Sequence, residues 1–365
     1  MINGVIRRAG AAFAAITSGV LVIGAAVPVQ AASTPGWRQV LSKHYGPAND
    51  YPAYGVVLAT GRNSAWALGG TDLSGGNGTV QRPVALRWNG RKWSGYPLPS
   101  GLTSNIIAAS APAANDIWAV TQFGGYILHW NGNAWSLAKQ LPWNGKGLAP
   151  QLTGVVALST KNVWVFGSSG FTLGWGTWHY NGRLWRQWHG NAADITNGSA
   201  LSATNIWTVG GLSAPQSQIV RYTGTWKPVA SPVLAGLQFE GIHAFAVKNV
   251  WASAVSTGGS AASWLVHYNG RSWSKVRLPY SMTLNWGPIV SDGHGGLWLA
   301  GLVVSATTER FYVVHRTAKG AWSRTQVGAQ MLSLANIPGT ASVWGAGAFY
   351  GRVSHLAVIY AYGRI

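Results

Sequence analysis

The sequence predicts an all-β chain folded as a seven-bladed β-propeller with four-stranded antiparallel blades. Three observations carry that expectation. First, a tryptophan opens a short apolar run seven times, at Trp66, Trp118, Trp164, Trp207, Trp251, Trp298 and Trp344, at spacings between 43 and 52 residues. Second, an element of the form His/Arg–Trp/Tyr–Asn–Gly–x–x–Trp follows most of them and ends at Trp93, Trp135, Trp185, Trp226, Trp273 and Trp322. A period of this length, rich in glycine and aromatic residues, belongs to propeller blades, which bury their faces only against neighbouring blades. Third, the last unit runs through Val358, Ile359 and Tyr360 and stops at Ile365 without its terminal Gly–x–Trp. That element stands at the other end of the chain, as Gly36-Trp37-Arg38-Gln39-Val40. The N-terminal strand is therefore expected to complete the last blade and close the ring, leaving no open sheet edge.

The elements follow in order. Arg7 and Arg8 precede an apolar run from Ala11 to Val29 and a small-residue site at Val29-Gln30-Ala31. This is the pattern of a signal peptide over residues 1–31, with cleavage expected after Ala31 and a secreted, extracellular destination. The Arg7-Arg8 pair lacks the rest of a twin-arginine motif, so the general secretory route is expected. Residues 32–365 read as one propeller domain. Its blades are expected at about 51–98, 102–141, 150–189, 197–232, 237–280, 284–328, and 329–365 plus 36–42.

One blade shows the reasoning. Leu152–Leu158 is a strand of small and β-branched residues, and Ser159–Asn162 is a polar turn. Val163–Gly167 is the second strand, Thr177–Tyr180 the third and Leu184–Gln187 the fourth. Asn181-Gly182 between the last two predicts a tight hairpin with both central residues at positive φ. The same dipeptide recurs at Asn89-Gly90, Asn131-Gly132 and Asn269-Gly270, and degenerates to Thr223-Gly224 and Ala318-Lys319-Gly320. Innermost strands rich in Gly, Ala and Ser fit the crowding near the axis. The first-motif tryptophans are expected to fill the space between blades, each contributing about 1.5–3 kcal/mol. The two motifs give fourteen of the 22 tryptophans a packing role.

These repeats resemble those of secreted bacterial propellers grouped with kelch and galactose-oxidase-type proteins. The cleanest copy runs from Asn115-Asp116-Ile117-Trp118-Ala119-Val120 to His129-Trp130-Asn131-Gly132-Asn133-Ala134-Trp135. Ser291-Asp292-Gly293-His294-Gly295-Gly296-Leu297-Trp298 is also similar to the Asp-box turn of sialidase-type propellers. The resemblance implies a fold rather than an activity. Galactose oxidase depends on a copper site with a Cys–Tyr crosslink, and a chain with no cysteine cannot carry that chemistry.

Composition bounds the remaining choices. The absence of cysteine excludes disulfides and thiolate metal sites. A net charge of +19 with only 9 % charged residues reflects a shortage of acids, and no dense run of Lys or Arg exists. That balance suits either a plain basic surface or attraction to polyanions. A basic residue precedes the third-strand aromatic at Arg87, His129, His179, Arg221, His267 and His315, with Ile359 at this place in the last blade. Equivalent positions in different blades lie apart, whereas metal ligands must converge. Hydrogen bonding is the expected role, and neither a metal nor a cofactor is called for.

A glycosidase needs two carboxyl groups flanking the scissile bond. The chain has seven acids, and Asp116 and Asp292 fall in hairpin turns. Only Asp72, Asp194, Glu240 and Glu309 stand where they might reach a face pocket. Aromatic residues in the connections offer a different chemistry, stacking on sugar rings. The candidate ligand-binding set is Trp143, Lys146, Trp175, Tyr280 and Trp286, with no catalytic residue assigned. The sequence thus reads as a secreted, monomeric, non-catalytic binding propeller for carbohydrate or an anionic cell-envelope polymer. A polysaccharide hydrolase or lyase with a central-face site and a protein-interaction platform are the alternatives. No nucleic-acid motif is present.

Overall fold

The computed structural model describes residues 36–45, 51–72, 81–142, 151–168, 176–188, 195–210, 218–257, 262–280, 282–284, 289–304, 308–351 and 354–365. Residues 1–31, expected from the sequence to be a signal peptide, lie outside these. Seven antiparallel sheets follow one another along the chain. Each runs from an inner strand outward to a fourth. Blade 1 holds Ala53–Gly61, Ser64–Asp72, Gln81–Trp88 and Trp93–Gly95. Blade 2 holds Ile106–Ala113, Asp116–Thr121, Tyr126–Trp130 and Trp135–Gln140. Blade 3 holds Gln151–Ser159, Asn162–Ser168, Thr177–Tyr180 and Trp185–Trp188. Blade 4 holds Ile195–Ser202, Asn205–Gly210, Gln218–Tyr222 and Trp226–Pro228. Blade 5 holds Leu237–Ala246, Asn249–Ser256, Ser263–Tyr268 and Trp273–Arg277. In blade 6 the inner strand is broken into Thr283–Leu284 and Val290–Ser291, followed by Leu297–Val304, Glu309–Arg316 and Trp322–Val327. Blade 7 takes Gln330–Asn336, Val343–Tyr350 and His355–Tyr362, and its fourth strand is Trp37–Lys43 from the other end of the chain. The ring closure expected from the sequence is present, with Trp37 opposite Tyr362.

The seven first-motif tryptophans are all at or below 7 % exposure. Six of them pack edge-on against a second-motif tryptophan of the next blade. Trp66 meets Trp135, Trp118 meets Trp185, Trp164 meets Trp226, Trp207 meets Trp273, Trp298 meets Trp37 and Trp344 meets Trp93, with ring centroids 5.0 to 6.1 Å apart. Edge-to-face contact sets the positive rim of one ring on the negative face of the other. At the remaining joint the Arg316 guanidinium lies 5.1 Å from the Trp251 ring and 5.8 Å from Trp322.

The recurring basic residue covers the tryptophan from within its own blade. His129, His179, His267 and His315 stack on Trp118, Trp164, Trp251 and Trp298 at 4.1–4.3 Å. Arg221 sits 4.5 Å over Trp207 and Arg87 5.6 Å over Trp66. Most of these bases are held by a side-chain oxygen. Asp116 Oδ1 accepts from His129 Nε2 at 2.8 Å and from Trp118 Nε1 at 2.9 Å. Asn249 does the same for His267 and Trp251, while Asn162 holds His179 and Asn205 holds Arg221. Blade 6 lacks an acceptor two residues before its tryptophan, since Gly296 stands there. Asp292 supplies it from four residues further back: its Oδ2 pairs with His315 at 2.9 Å and its Oδ1 accepts the backbone N–H of His294 and Gly296. Asp116 and Asp292 are therefore buried anchors of the blade joints, a larger role than turn chemistry alone.

Two expectations are corrected. In blade 7 the residue opposite Trp344 is Ala361, and the aromatic that pairs with Trp37 is Tyr362. Ile359 and Tyr360 lie two places earlier in the strand, so the register slips by one full alternation relative to the sequence alignment. The Asn-Gly hairpins hold four residues, because Trp88 pairs with Trp93 and Trp130 with Trp135. In each, the Asn side chain accepts the backbone N–H of the residues two and three further on, as Asn131 does from Asn133 and Ala134 at 3.0 Å. Gly132 follows at φ +94°, a conformation that suits glycine. The degenerate copies differ in length. Tyr222 pairs with Trp226 across three residues, and Arg316 with Trp322 across five.

The inner strands share a further device. In blades 1–5 and 7 the pairing of the first two strands slips by one residue near the start of the inner strand. A bulge of this kind turns an extra residue out of the ladder. Side chains tie successive inner strands together. Ser110 Oγ accepts from Ala157 N, Asn197 Oδ1 from Ile242 N, Ser199 Oγ from Ala244 N and Ser333 Oγ from Val57 N, all at 3.0–3.3 Å.

Candidate functional site

Two cavities stand out. The first is an axial channel of about 650 Å³ lined by the inner strands of all seven blades. Its described lining is mostly Val, Ile, Ala and Gly, with amides and hydroxyls between them. Glu240 and His243 are its only titratable members among the described residues. Burial pushes the Glu240 carboxyl up to about 7 and the His243 imidazole down to about 4, so His243 is neutral near pH 7.

The second is a pocket of about 490 Å³ at the outer edge of blade 6, where it faces the segment leaving blade 5. Three strands of blade 6 and the segment leaving blade 5 build it. Val303 and Arg310 are paired across the second and third strands of blade 6. Strand alternation puts Arg310 and Tyr312 on one face of the third strand. Arg324 comes from the fourth strand, opposite Val314. Tyr280 closes the pocket from the end of blade 5. The Arg324 guanidinium lies 4.8 Å from the Tyr280 ring and 4.8 Å from the Tyr312 ring, which holds it between two aromatic faces. Tyr312 is buried, Tyr280 half-buried and both arginines exposed. The ion pairs among the described residues are His129–Asp116 and His315–Asp292, so no carboxylate neutralises Arg310 or Arg324 there. Blade 5 repeats part of this arrangement: Lys275 sits 5.7 Å over Trp264 at equivalent strand positions. Arginine offers planar, forked donors matched to carboxylate, sulfate or phosphate, and the tyrosines offer faces for a sugar ring.

Tyr280 is the candidate residue that the structure places in a pocket. Trp143, Lys146, Trp175 and Trp286 lie outside the described residues. Sequence reading missed Arg310, Tyr312 and Arg324, because they sit inside strands at positions where the repeat tolerates many residue types. The cation two places after a second-motif tryptophan, Lys275 and then Arg324, is the one signal that could have found them. Among the described residues no three His, Asp or Glu side chains gather to hold a metal ion. No described helix is long and apolar enough to cross a membrane.

No protein-family model matches this sequence, and no curated protein matches it either. Solved structures match its fold. The chain is similar to YCF48 bound to D1 peptide, with 14 % identity and a TM-score of 0.57 over 90 % of this chain and 97 % of that one. It is similar to a catalytically inactive virginiamycin B lyase from Staphylococcus aureus with quinupristin, with 11 % identity and a TM-score of 0.61 over 90 % and 100 %. It is also similar to a GH74 xyloglucanase from Xanthomonas campestris, with 15 % identity and a TM-score of 0.55 over 86 % of this chain and 53 % of that one. At such identities the likeness is one of fold.

Proposed function

We propose that this chain is a secreted, non-catalytic binding propeller whose ligand is an anionic polysaccharide or cell-envelope polymer. One observation carries the reading: Arg324 is clamped between Tyr280 and Tyr312 beside Arg310, with no carboxylate neutralising either arginine among the described residues. A guanidinium already ordered by two rings loses little further freedom on meeting an anion. The Lys275–Trp264 pair on the neighbouring blade gives a polymer a second contact of the same kind. The signal-like N-terminus and the resemblance of the repeats to secreted kelch-type and galactose-oxidase-type propellers support the extracellular setting. Glu240 is the only carboxyl on the described channel wall, which argues against the paired acids of a glycosidase.

A second reading, a protein-interaction platform, is favoured by a separate patch. Tyr51 stacks on His355 at 4.1 Å and lies 6.1 Å from Tyr350, and Phe349, Tyr350 and Tyr51 are all exposed. Retention of the purified protein on supports bearing an acidic polysaccharide or a teichoic-type polymer, across a salt series, separates the two. The polymer reading expects retention that falls with salt and is lost in Arg324→Ala. It also expects sugar stacking by the connections to show as salt-resistant loss in a Trp143→Ala/Trp175→Ala/Trp286→Ala variant. No retention at low salt overturns it in favour of a protein partner.

A further inference from the structure

We infer that the axial channel is a binding site for an aliphatic ammonium group, separate from the blade 6 pocket. The wall of the channel is divided. The bulge of each inner strand puts one residue on the lumen: Gly55, Ile107, Thr153, Thr196, Glu240 and Leu332 in blades 1, 2, 3, 4, 5 and 7. Going round the ring, the bulge residues of blades 7, 1 and 2 form an apolar arc, and those of blades 3, 4 and 5 a polar one.

Every member of the polar arc is left able to accept. The Thr153 hydroxyl spends its proton on Ile195 O at 2.6 Å, and the Thr196 hydroxyl spends its proton on Val209 O at 3.1 Å. Both keep lone pairs. Glu240 Oε2 is buried with no hydrogen-bond partner. An unpartnered, buried carboxylate oxygen costs free energy that a donating ligand repays. An ammonium has three donors and no acceptor, which matches such an arc, and an alkyl chain matches the apolar arc facing it. A carboxylate or phosphate ligand meets the wrong charge. A metal ion meets too few ligands, since no three His, Asp or Glu side chains converge among the described residues.

The test uses n-butylamine and, as its uncharged counterpart, n-butanol, titrated into the purified protein and followed by NMR. Butylamine is expected to bind and butanol to bind at least tenfold more weakly. Only the ionised Glu240 attracts the cation, so affinity should rise about tenfold from pH 6 to pH 8, as ionisation about a value near 7 requires. His243, the other titratable group on the described wall, is neutral across that range and adds no slope of its own. Glu240→Gln, checked for native circular dichroism, should lose the preference for amine over alcohol. A measurement on the unaltered protein guards against misfolding of the variant: saturating butylamine should lower the titration midpoint of the Glu240 side-chain carboxyl carbon. Equal binding of amine and alcohol, affinity that falls with rising pH, or an unmoved midpoint each overturns the inference. Acidic polysaccharide should not displace the amine; if it does, the two sites are not separate.

Discussion

Trp37 meets Trp298 edge-on at 5.5 Å, a contact between neighbouring blades made by residues near opposite ends of the chain. It is the same contact that Trp135 makes with Trp66, two residues only 69 positions apart in the sequence. The closing joint is thus built like the others, and Arg38 Nη1 adds a hydrogen bond to Gly363 O at 2.6 Å. Replacing Trp37 by Ala should cost about 3 kcal/mol, the lower end for a large aromatic, because Trp37 is only partly buried. Deleting residues 32–42 should lower the melting temperature further, by exposing the edge of the strand His355–Tyr362. Thermal unfolding checks both, and an unchanged melting temperature for the deletion would sink the closure mechanism.

Asp292 gives the fold an acid-sensitive joint. Burial alone raises its carboxyl pKa, but hydrogen bonds from His315 and from the backbone of His294 and Gly296, with the His315 charge, outweigh it and hold it below the usual value. A depressed folded value means the contribution is complete above the unfolded value, near 3.9, and is lost as pH falls through the folded one. Asp292→Ala should therefore cost about 1–3 kcal/mol at pH 6 in urea unfolding. The gap between variant and parent should narrow by pH 2.5. A gap that stays constant with pH contradicts the assignment.

Glu240 should behave in the opposite sense. Its folded value is raised to about 7 while an unfolded Glu titrates near 4.3, so the folded chain holds the proton more tightly between those limits. Stability from this group is present at low pH and is lost as pH rises through about 7. Glu240→Gln should raise the melting temperature at pH 8 and raise it much less at pH 5. Equal effects at both values would mean the carboxyl is solvated like any surface acid.

The hairpins between third and fourth strands allow a graded comparison. Asn131→Ala removes two side-chain acceptor bonds at the surface and should cost about 1 kcal/mol. Gly132→Ala should cost about 1–3 kcal/mol, since a Cβ at φ +94° also comes within 2.9 Å of the Asn115 Cβ. Gly224→Ala has a similar φ of +99° but meets nothing within 4 Å, and it should cost less. Denaturant midpoints give the order, and a reversed ranking would refute the steric part.

Arg324→Lys separates charge from shape. A lysine keeps the cation but loses the planar stack between Tyr280 and Tyr312 and the forked donors. Polymer retention should weaken several-fold at low salt without a change in unfolding free energy beyond about 0.5 kcal/mol, as befits an exposed residue. Full retention by the lysine variant would reduce the site to bulk charge.

The repeat made the architecture legible because the same packing problem is solved seven times. Trp66 to Trp344 mark the joints, and the Gly36-Trp37 fragment gave away the shared blade. Legibility failed where a blade departs from the pattern. The register of Trp344 on Ala361 could not be read, because blade 7 has no His or Arg to mark it. Thr223-Gly224 and Ala318-Lys319-Gly320 look like decayed turns but are turns of other lengths. The candidate sites were harder still. Arg310, Tyr312 and Arg324 converge only once three strands and a neighbouring blade are placed. Glu240 gains its character from a bulge that no residue type announces, although its position near an inner strand was visible.

The shared blade also sets a timetable. The strand Trp37–Lys43 is made before six blades and its partner His355–Tyr362 after them, so it must wait while all six are synthesised. Contacts this distant in sequence slow folding, and an unpaired strand is an aggregation hazard in the interval. Its sequence, WRQVLSK, answers the hazard: Arg38, Gln39, Ser42 and Lys43 are exposed in the finished sheet and keep the waiting segment polar. Six blades can stack while the seventh is still missing a strand, and the strand made before them all is the last to find its place.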